Sequence, residues 1–266
     1  MVSDRVRVDD PPRAAVLRME GTNNEDEAFH ALKRSGARPE FVHIKELERG
    51  ITSLRDYHIV FIPGGFSAGD YVRAGAIMAF RLKHAALEDL IFLDEERRPI
   101  IGVCNGFQVL TEMKLLPTSH DMKGGIALTV NMSNRFESRT TFVRYSGRNP
   151  IFGDTFSTRK SWEVPVAHLE GRIVYSSTSL RDEVLGSGQV VFRYTDPLGN
   201  EAGYPWNPNG SEGNVAAISN EGGNIIGLMP HPERIYFGFE AEKSDVDRPT
   251  GKAFFDALVN YASRRM

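Results

Sequence analysis

Short, mainly apolar runs of strand length recur through the first hundred residues, each followed by a stretch of helical character, and this alternation admits few folds. The runs cover residues 16–19, 41–44, 59–62 and 100–103, and the helical stretches cover Glu25–Arg34 and roughly residues 69–93. In the longer stretch Val72, Ala76 and Ala79 face a charged opposite side. Strand alternating with helix predicts a parallel sheet covered by helices on both faces. At 266 residues and 41% hydrophobic content the chain can build one large α/β domain with a substantial core. Beyond Gly125 the pattern becomes one of alternating residues, as in Gly188-Gln-Val-Val-Phe-Arg-Tyr194, which predicts antiparallel strands appended to the sheet. Residues 195–213 are rich in Gly, Pro and Asn and read as a folded loop, not a linker. The expected organisation is a flexible tail over residues 1–13 and a single domain over 14–266.

Cys104 is the only cysteine, and it stands where the apolar run Pro99-Ile-Ile-Gly-Val103 gives way to a helical pattern. A strand ending in Gly-x-Cys-x-Gly matches a nucleophile elbow, a sharp strand-to-helix bend that exposes its central side chain. The N-terminus of the following helix carries partial positive charge and unpaired N–H groups, which attract negative charge and can bind a developing oxyanion. Gly102 and Gly106 suit the crowding beside such a bend. The alternative is an inert buried cysteine.

A second motif, Met229-Pro-His-Pro-Glu-Arg234, follows the apolar segment Asn224-Ile-Ile-Gly-Leu228 and begins where a strand ends. Flanking prolines are expected to hold it extended, so that His231 and Glu233, two residues apart, face one site. A thiol nucleophile needs a base and a leaving amine needs an acid, and imidazole serves both; a carboxylate behind it sets the tautomer. Cys104, His231 and Glu233 are therefore the candidate catalytic residues. Gly64-Gly65, at the carboxyl end of Ile59-Val-Phe-Ile62, reads as a tight turn where open α/β sheets bind ligands. The N–H groups of Gly65 and Asn105 are the candidate oxyanion hole. A phosphate loop is disfavoured, because no Gly-x-x-x-x-Gly-Lys-Ser/Thr occurs.

Other classes find no support. A net charge of −3 with basic residues scattered gives no reason to invoke nucleic acid, and no run approaches the roughly 18 apolar residues of a membrane helix. Residues 1–13 lack the apolar centre of a signal peptide. A lone cysteine excludes an internal disulfide and suits a reducing cytosol. No metal-ligand spacing is present, since Cys104, His231 and Glu233 are already used as a triad.

Gly64-Gly65-Phe66, the elbow Gly-Val-Cys-Asn-Gly-Phe-Gln108 and His231-Pro-Glu233 together resemble the class I, triad-type glutamine amidotransferases. Gly21-Thr-Asn23, Phe66-Ser-Ala-Gly-Asp-Tyr-Val-Arg-Ala-Gly75, Asn131-Met-Ser-Asn-Arg-Phe136, Pro165-Val-Ala-His-Leu-Glu-Gly-Arg172 and Asn207-Pro-Asn-Gly-Ser-Glu-Gly-Asn214 narrow the resemblance. They point to the glutamine amidotransferase subunits of phosphoribosylformylglycinamidine synthase. The resemblance implies a flavodoxin-like three-layer sandwich with a mostly parallel central sheet and an appended antiparallel section. It implies hydrolysis of L-glutamine through a Cys104 thioester, with Gly64, Phe66 and Gln108 binding the substrate. It also implies a cytoplasmic location and an ATP-dependent synthetase partner, which receives the ammonia to make formylglycinamidine ribonucleotide, with a small assembly subunit beside them. ATP and magnesium are expected only in that partner, and no cofactor in this chain. Asn131, Ser133 and Arg135 border either the glutamine pocket or the partner, and His168, without an evident carboxylate, is expected to be structural or at the partner interface. The competing functions are an amidotransferase subunit of another synthetase, a free-standing γ-glutamyl cysteine hydrolase, and a non-catalytic binding subunit, against which the intact triad speaks.

Overall fold

The computed structural model describes residues 10–117, 125–153, 155–236 and 250–266, and in it the apolar runs lie side by side in one sheet. The first half of the chain forms β1 (Arg13–Arg18), α1 (Glu25–Arg34), β2 (Arg38–His43), α2 (Ile44–Glu48), β3 (Ile59–Ile62), α3 (Ala76–Glu95), β4 (Ile100–Val103) and α4 (Asn105–Glu112). The second half adds β5 (Ile126–Val130), β6 (Glu137–Tyr145), β7 (Ser161–His168), β8 (Glu170–Tyr175), α5 (Thr178–Gly186), β9 (Val190–Thr195), β10 (Val215–Ser219), β11 (Ile225–Leu228) and α6 (Thr250–Ser263). Nine strands are hydrogen-bonded in the order β2-β1-β3-β4-β11-β10-β9-β6-β7, and β5 pairs with β8 separately. The first five in that order are parallel to one another, and the remaining four add on antiparallel, as the change of pattern after Gly125 predicts.

Burial explains the two kinds of strand. Every residue of β3, β4 and β11 is buried, the condition of a parallel strand covered on both faces, and it appears in the sequence as an uninterrupted apolar run. In β7 buried and half-buried residues alternate, because one face of this antiparallel section is partly solvated. Helix α1 packs against α6, while α2, α3 and α4 pack among themselves, giving the helical layers of the sandwich. Helix α1 carries Glu25, Asp26 and Glu27 in its first turn and Lys33 and Arg34 in its last, charges that complement the helix dipole.

The structure departs from the expected boundaries at several places, three of which have a clear local cause. Residues 1–9 of the expected tail lie outside the described residues, and Arg13 belongs to β1, where its guanidinium pairs with Glu40 at 3.2 Å. Strand β2 ends at His43, whose Nδ1 accepts from the Lys45 N–H (3.1 Å) and so starts α2 at Ile44. Helix α3 begins at Ala76, not near 69, because Ala68, Gly69 and Asp70 have φ of 54°, 69° and 51°, a left-handed turn that no α-helix accommodates. Among the described residues no helix is long and apolar enough to cross a membrane.

An aromatic cluster fills the space under the antiparallel section. Phe152 lies 4.9 Å from Phe254 of α6 and 5.4 Å from Phe192 of β9 between ring centroids, and is 1% exposed. Phe152→Ala is expected to cost about 3–5 kcal/mol, read as a lower denaturant midpoint at unchanged slope. A loss below about 1 kcal/mol would show that the cluster collapses around the gap.

Candidate active site

Strand β4 ends at Val103 and the chain reverses at Cys104, whose φ of 50° and ψ of −103° are strained for a residue with a side chain. Two glycines make the bend sterically feasible. A Cβ at Gly106 would lie 2.0 Å from the Ile62 carbonyl oxygen, and one at Gly102 would lie 2.5 Å from the Gly106 carbonyl oxygen. The Cys104 N–H donates to the Leu228 carbonyl (2.7 Å), tying the bend to β11.

That same pairing delivers the histidine. Leu228 is the register partner of Val103, so the chain leaving β11 emerges beside the elbow. The His231 N–H then donates to the Pro165 carbonyl of β7 (2.9 Å), which holds the loop over the site. The segment is not extended as its prolines suggest. Pro232–Ile235 forms a 3-10 turn with Pro232 at its start, where a missing N–H is no loss. His231 and Glu233 meet nonetheless, Nδ1 to Oε1 at 2.6 Å, both buried. Burial works to lower the imidazole pKa, but the Glu233 carboxylate and the Cys104 sulfur outweigh it and hold it raised. Cys104 Sγ itself donates to the Ala167 carbonyl (3.6 Å), leaving His231 Nε2 without a hydrogen-bond partner among the described residues.

Gly64 is pressed into this group. A Cβ there would lie 2.8 Å from His231 Cε1, 2.9 Å from Asn24 Oδ1 and 3.4 Å from Cys104 Cβ. Gly65, at φ 139°, would bring a Cβ within 2.6 Å of the Asn23 nitrogen. Asn105 is the first residue of α4, so its N–H lies outside the intrahelical ladder. Its side chain is held by Ser67, whose N–H (3.3 Å) and hydroxyl both donate to Oδ1, and its Nδ2 donates to Gln108 Oε1 (2.9 Å) and Asp70 Oδ1 (3.3 Å). Gln108 in turn donates to the Glu170 carbonyl (2.6 Å). Burial raises the Asp70 pKa despite the N–H groups of Gly75 and Asn105.

Cys104, His231, Gly65, Phe66 and Gln108 line one cavity of about 520 Å³, a volume typical of small-molecule sites. Phe66 stacks on Phe136 at 6.4 Å between centroids beside it. Among the described residues no group of His, Cys, Asp and Glu could hold a metal ion.

His168 is the residue whose place the sequence least reveals. It lines this cavity, and its cross-strand partner is Glu137. Asn131 Nδ2 donates to the carbonyls of Arg135 (2.9 Å) and His168 (2.8 Å), so its Oδ1 faces His168 Nδ1 at 3.1 Å. Nδ1 therefore carries the proton, and Nε2 is a buried acceptor without a partner among the described residues. Burial, with His231 nearby, pushes the His168 pKa down to about 3 and keeps the ring neutral. Burial acts to raise the Glu137 pKa, yet Ser133 and Arg139 hold it lowered. A signal existed in the alternation of β6 and β7, but it needed their register. The Asn207-Pro-Asn-Gly-Ser motif serves as a prop: the Asn209 carbonyl accepts from the Met132 N–H (3.1 Å) and Ser211 Oγ accepts from the Ile173 N–H (3.0 Å).

Comparison with known proteins agrees with this geometry. Residues 11–262 match the CobB/CobQ-like glutamine amidotransferase domain. The chain is 53% identical over 253 residues to the phosphoribosylformylglycinamidine synthase subunit PurQ of Picrophilus torridus, covering 94% of this chain and 99% of the relative. It is 41% identical over 267 residues to the subunit of the same name from Archaeoglobus fulgidus, with 95% and 97% covered. A chain in the structure of PurLQS from Thermotoga maritima superposes with a TM-score of 0.72 at 32% identity, with 94% and 99% covered.

The strain at the elbow can be measured directly. Cys104→Ala keeps the left-handed backbone under a side chain, whereas Cys104→Gly relieves it. The glycine variant is expected to be more stable than the alanine variant by about 1 kcal/mol in denaturant titration. The reverse order would mean that the bend stores no strain.

Proposed function

This chain belongs to the CobB/CobQ-like glutamine amidotransferase domain family, and we propose that it is the glutaminase subunit of phosphoribosylformylglycinamidine synthase. What carries the reading is that Cys104 and His231 line one cavity with Gly65, while the buried Glu233 backs His231 at 2.6 Å, in a chain alike over its length to PurQ subunits. Cys104 gives its proton to His231 as the sulfur attacks the side-chain amide carbon of L-glutamine. The N–H groups of Gly65 and Asn105 hold the resulting oxyanion. His231 passes the proton to the amide nitrogen, which leaves as ammonia, and a γ-glutamyl thioester remains on Cys104. Water then attacks the thioester with His231 as base, releasing glutamate and restoring the thiol. Glu233 orients the imidazole throughout, and Gly64, Phe66 and Gln108 shape the glutamine pocket.

The ammonia passes to an ATP-dependent synthetase partner that makes formylglycinamidine ribonucleotide in purine biosynthesis. ATP and magnesium act in that partner, this chain needs no cofactor of its own, and a small assembly subunit completes the complex in the cytoplasm. The naming of a Thermotoga maritima relative within PurLQS supports that assembly.

The decisive measurement is glutamate release by the chain alone and with the synthetase, ATP and formylglycinamide ribonucleotide. Strong stimulation by the partner is expected, and indifference to it would favour another synthetase or a free hydrolase. Cys104→Ser is expected to abolish glutamine-dependent synthesis while the complex still uses ammonium salts. Loss of both would show that the cysteine holds the fold or the interface together.

The raised imidazole has its own signature. Protonating the leaving nitrogen requires imidazolium, so a raised His231 pKa keeps the alkaline limb of kcat/KM high. Glu233→Gln removes the carboxylate that opposes burial, so the pKa falls and the limb moves to lower pH. An unmoved limb in that variant would detach Glu233 from the charge on His231.

A further inference from the structure

At the opposite end of β6 from Glu137, the fold sets two arginines opposite each other across a strand pair. Arg144 of β6 and Arg193 of β9 are register partners in an antiparallel pair, and like charges directly opposed oppose pairing. Among the described residues neither forms an ion pair. Arg144 Nη1 donates to the Gly199 carbonyl (2.7 Å) and Arg193 Nη1 to the Gly213 carbonyl. A guanidinium has five N–H donors, so most of their capacity is uncommitted. Arg148, in the loop after β6, lies across Gly188, where a Cβ would come 3.2 Å from its Cδ. These three arginines line a cavity of about 540 Å³ with Ser146 and Thr158, and Glu201 is the one carboxylate among its lining residues.

We propose that this cavity binds a small phosphorylated molecule, with room for a mononucleotide. An anion seated between Arg144 and Arg193 turns their repulsion into shared attraction, and the planar donor fork of arginine fits phosphate oxygens two at a time. The volume lies within the range of small-ligand sites. The site is separate from the glutamine cavity, because the seven-residue step from Glu137 to Arg144 along β6 spans roughly 23 Å.

Calorimetric titration of the full chain with pyrophosphate, AMP and polyglutamate tests this. Pyrophosphate or AMP is expected to bind the wild type, and Arg193→Met and Arg148→Met are each expected to weaken binding about 10- to 100-fold. Arg148 is exposed, so its variant keeps the test informative if Arg193→Met does not fold. Both variants should retain wild-type glutaminase activity, showing that the loss is local. Tighter binding of AMP than of pyrophosphate identifies a nucleotide as the source of the phosphate, and the reverse identifies an inorganic one. No binding of either probe, equal binding by wild type and variants, or binding of polyglutamate alone would overturn the proposal.

Discussion

The parallel pairing of β4 with β11 is the interaction on which the site depends. Four register partners, from Ile100 and Ile225 to Val103 and Leu228, bring together segments far apart in the chain. Because parallel strands end on the same side, Cys104 and His231 leave the sheet as neighbours. The contact extends upward into α4, since a Cβ at Gly227 would come within 2.0 Å of Phe107 Cδ2. The helix whose N-terminus faces the sulfur can thus settle only over a strand that has a glycine there. Burial of these strands on both faces makes the pairing robust, and the strained backbone of Cys104 is held by its surroundings.

Two buried histidines in one cavity show how local partners decide chemistry. His231 has a carboxylate at 2.6 Å and a sulfur beside it, and its pKa is raised in spite of complete burial. His168 has an amide oxygen at 3.1 Å, and burial drives its pKa down to about 3. One ring is equipped to hold and move a proton, and the other to remain a fixed neutral acceptor. Their difference follows from the neighbours each ring has, Glu233 and the Cys104 sulfur for His231 and nothing that outweighs burial for His168, since both are almost fully enclosed. The Ser67–Asn105–Gln108 chain of hydrogen bonds plays a comparable part for the backbone, positioning the residue after the nucleophile from the loop that carries Phe66.

The central architecture was legible in the residues. Strands β3 and β4 and helix α1 have the expected limits, because a doubly buried strand must be apolar throughout and α1 carries dipole-matched charges at both ends. The elbow was legible too, because steric crowding leaves little choice beside Cys104. Less legible were the places where local propensity competes with tertiary contacts. The prolines around His231 suggest an extended chain, yet the hydrogen bond to Pro165 and the close approach to Glu233 go with a 3-10 turn. The start of α3 was masked by Ala68 and Asp70, which give no warning in sequence of a left-handed turn.

Composition and pattern by themselves determined the α/β class, the parallel core with its antiparallel extension, and the residue types Cys104, His231 and Glu233 at strand ends. These follow from short-range rules: burial demands apolar runs, and tight bends demand glycine. Tertiary structure alone decided the entry of His168 into the cavity, its tautomer set by Asn131, and the opposition of Arg144 to Arg193. Each of these depends on strand register, and register arises from pairing between segments separated in sequence, which no local pattern encodes.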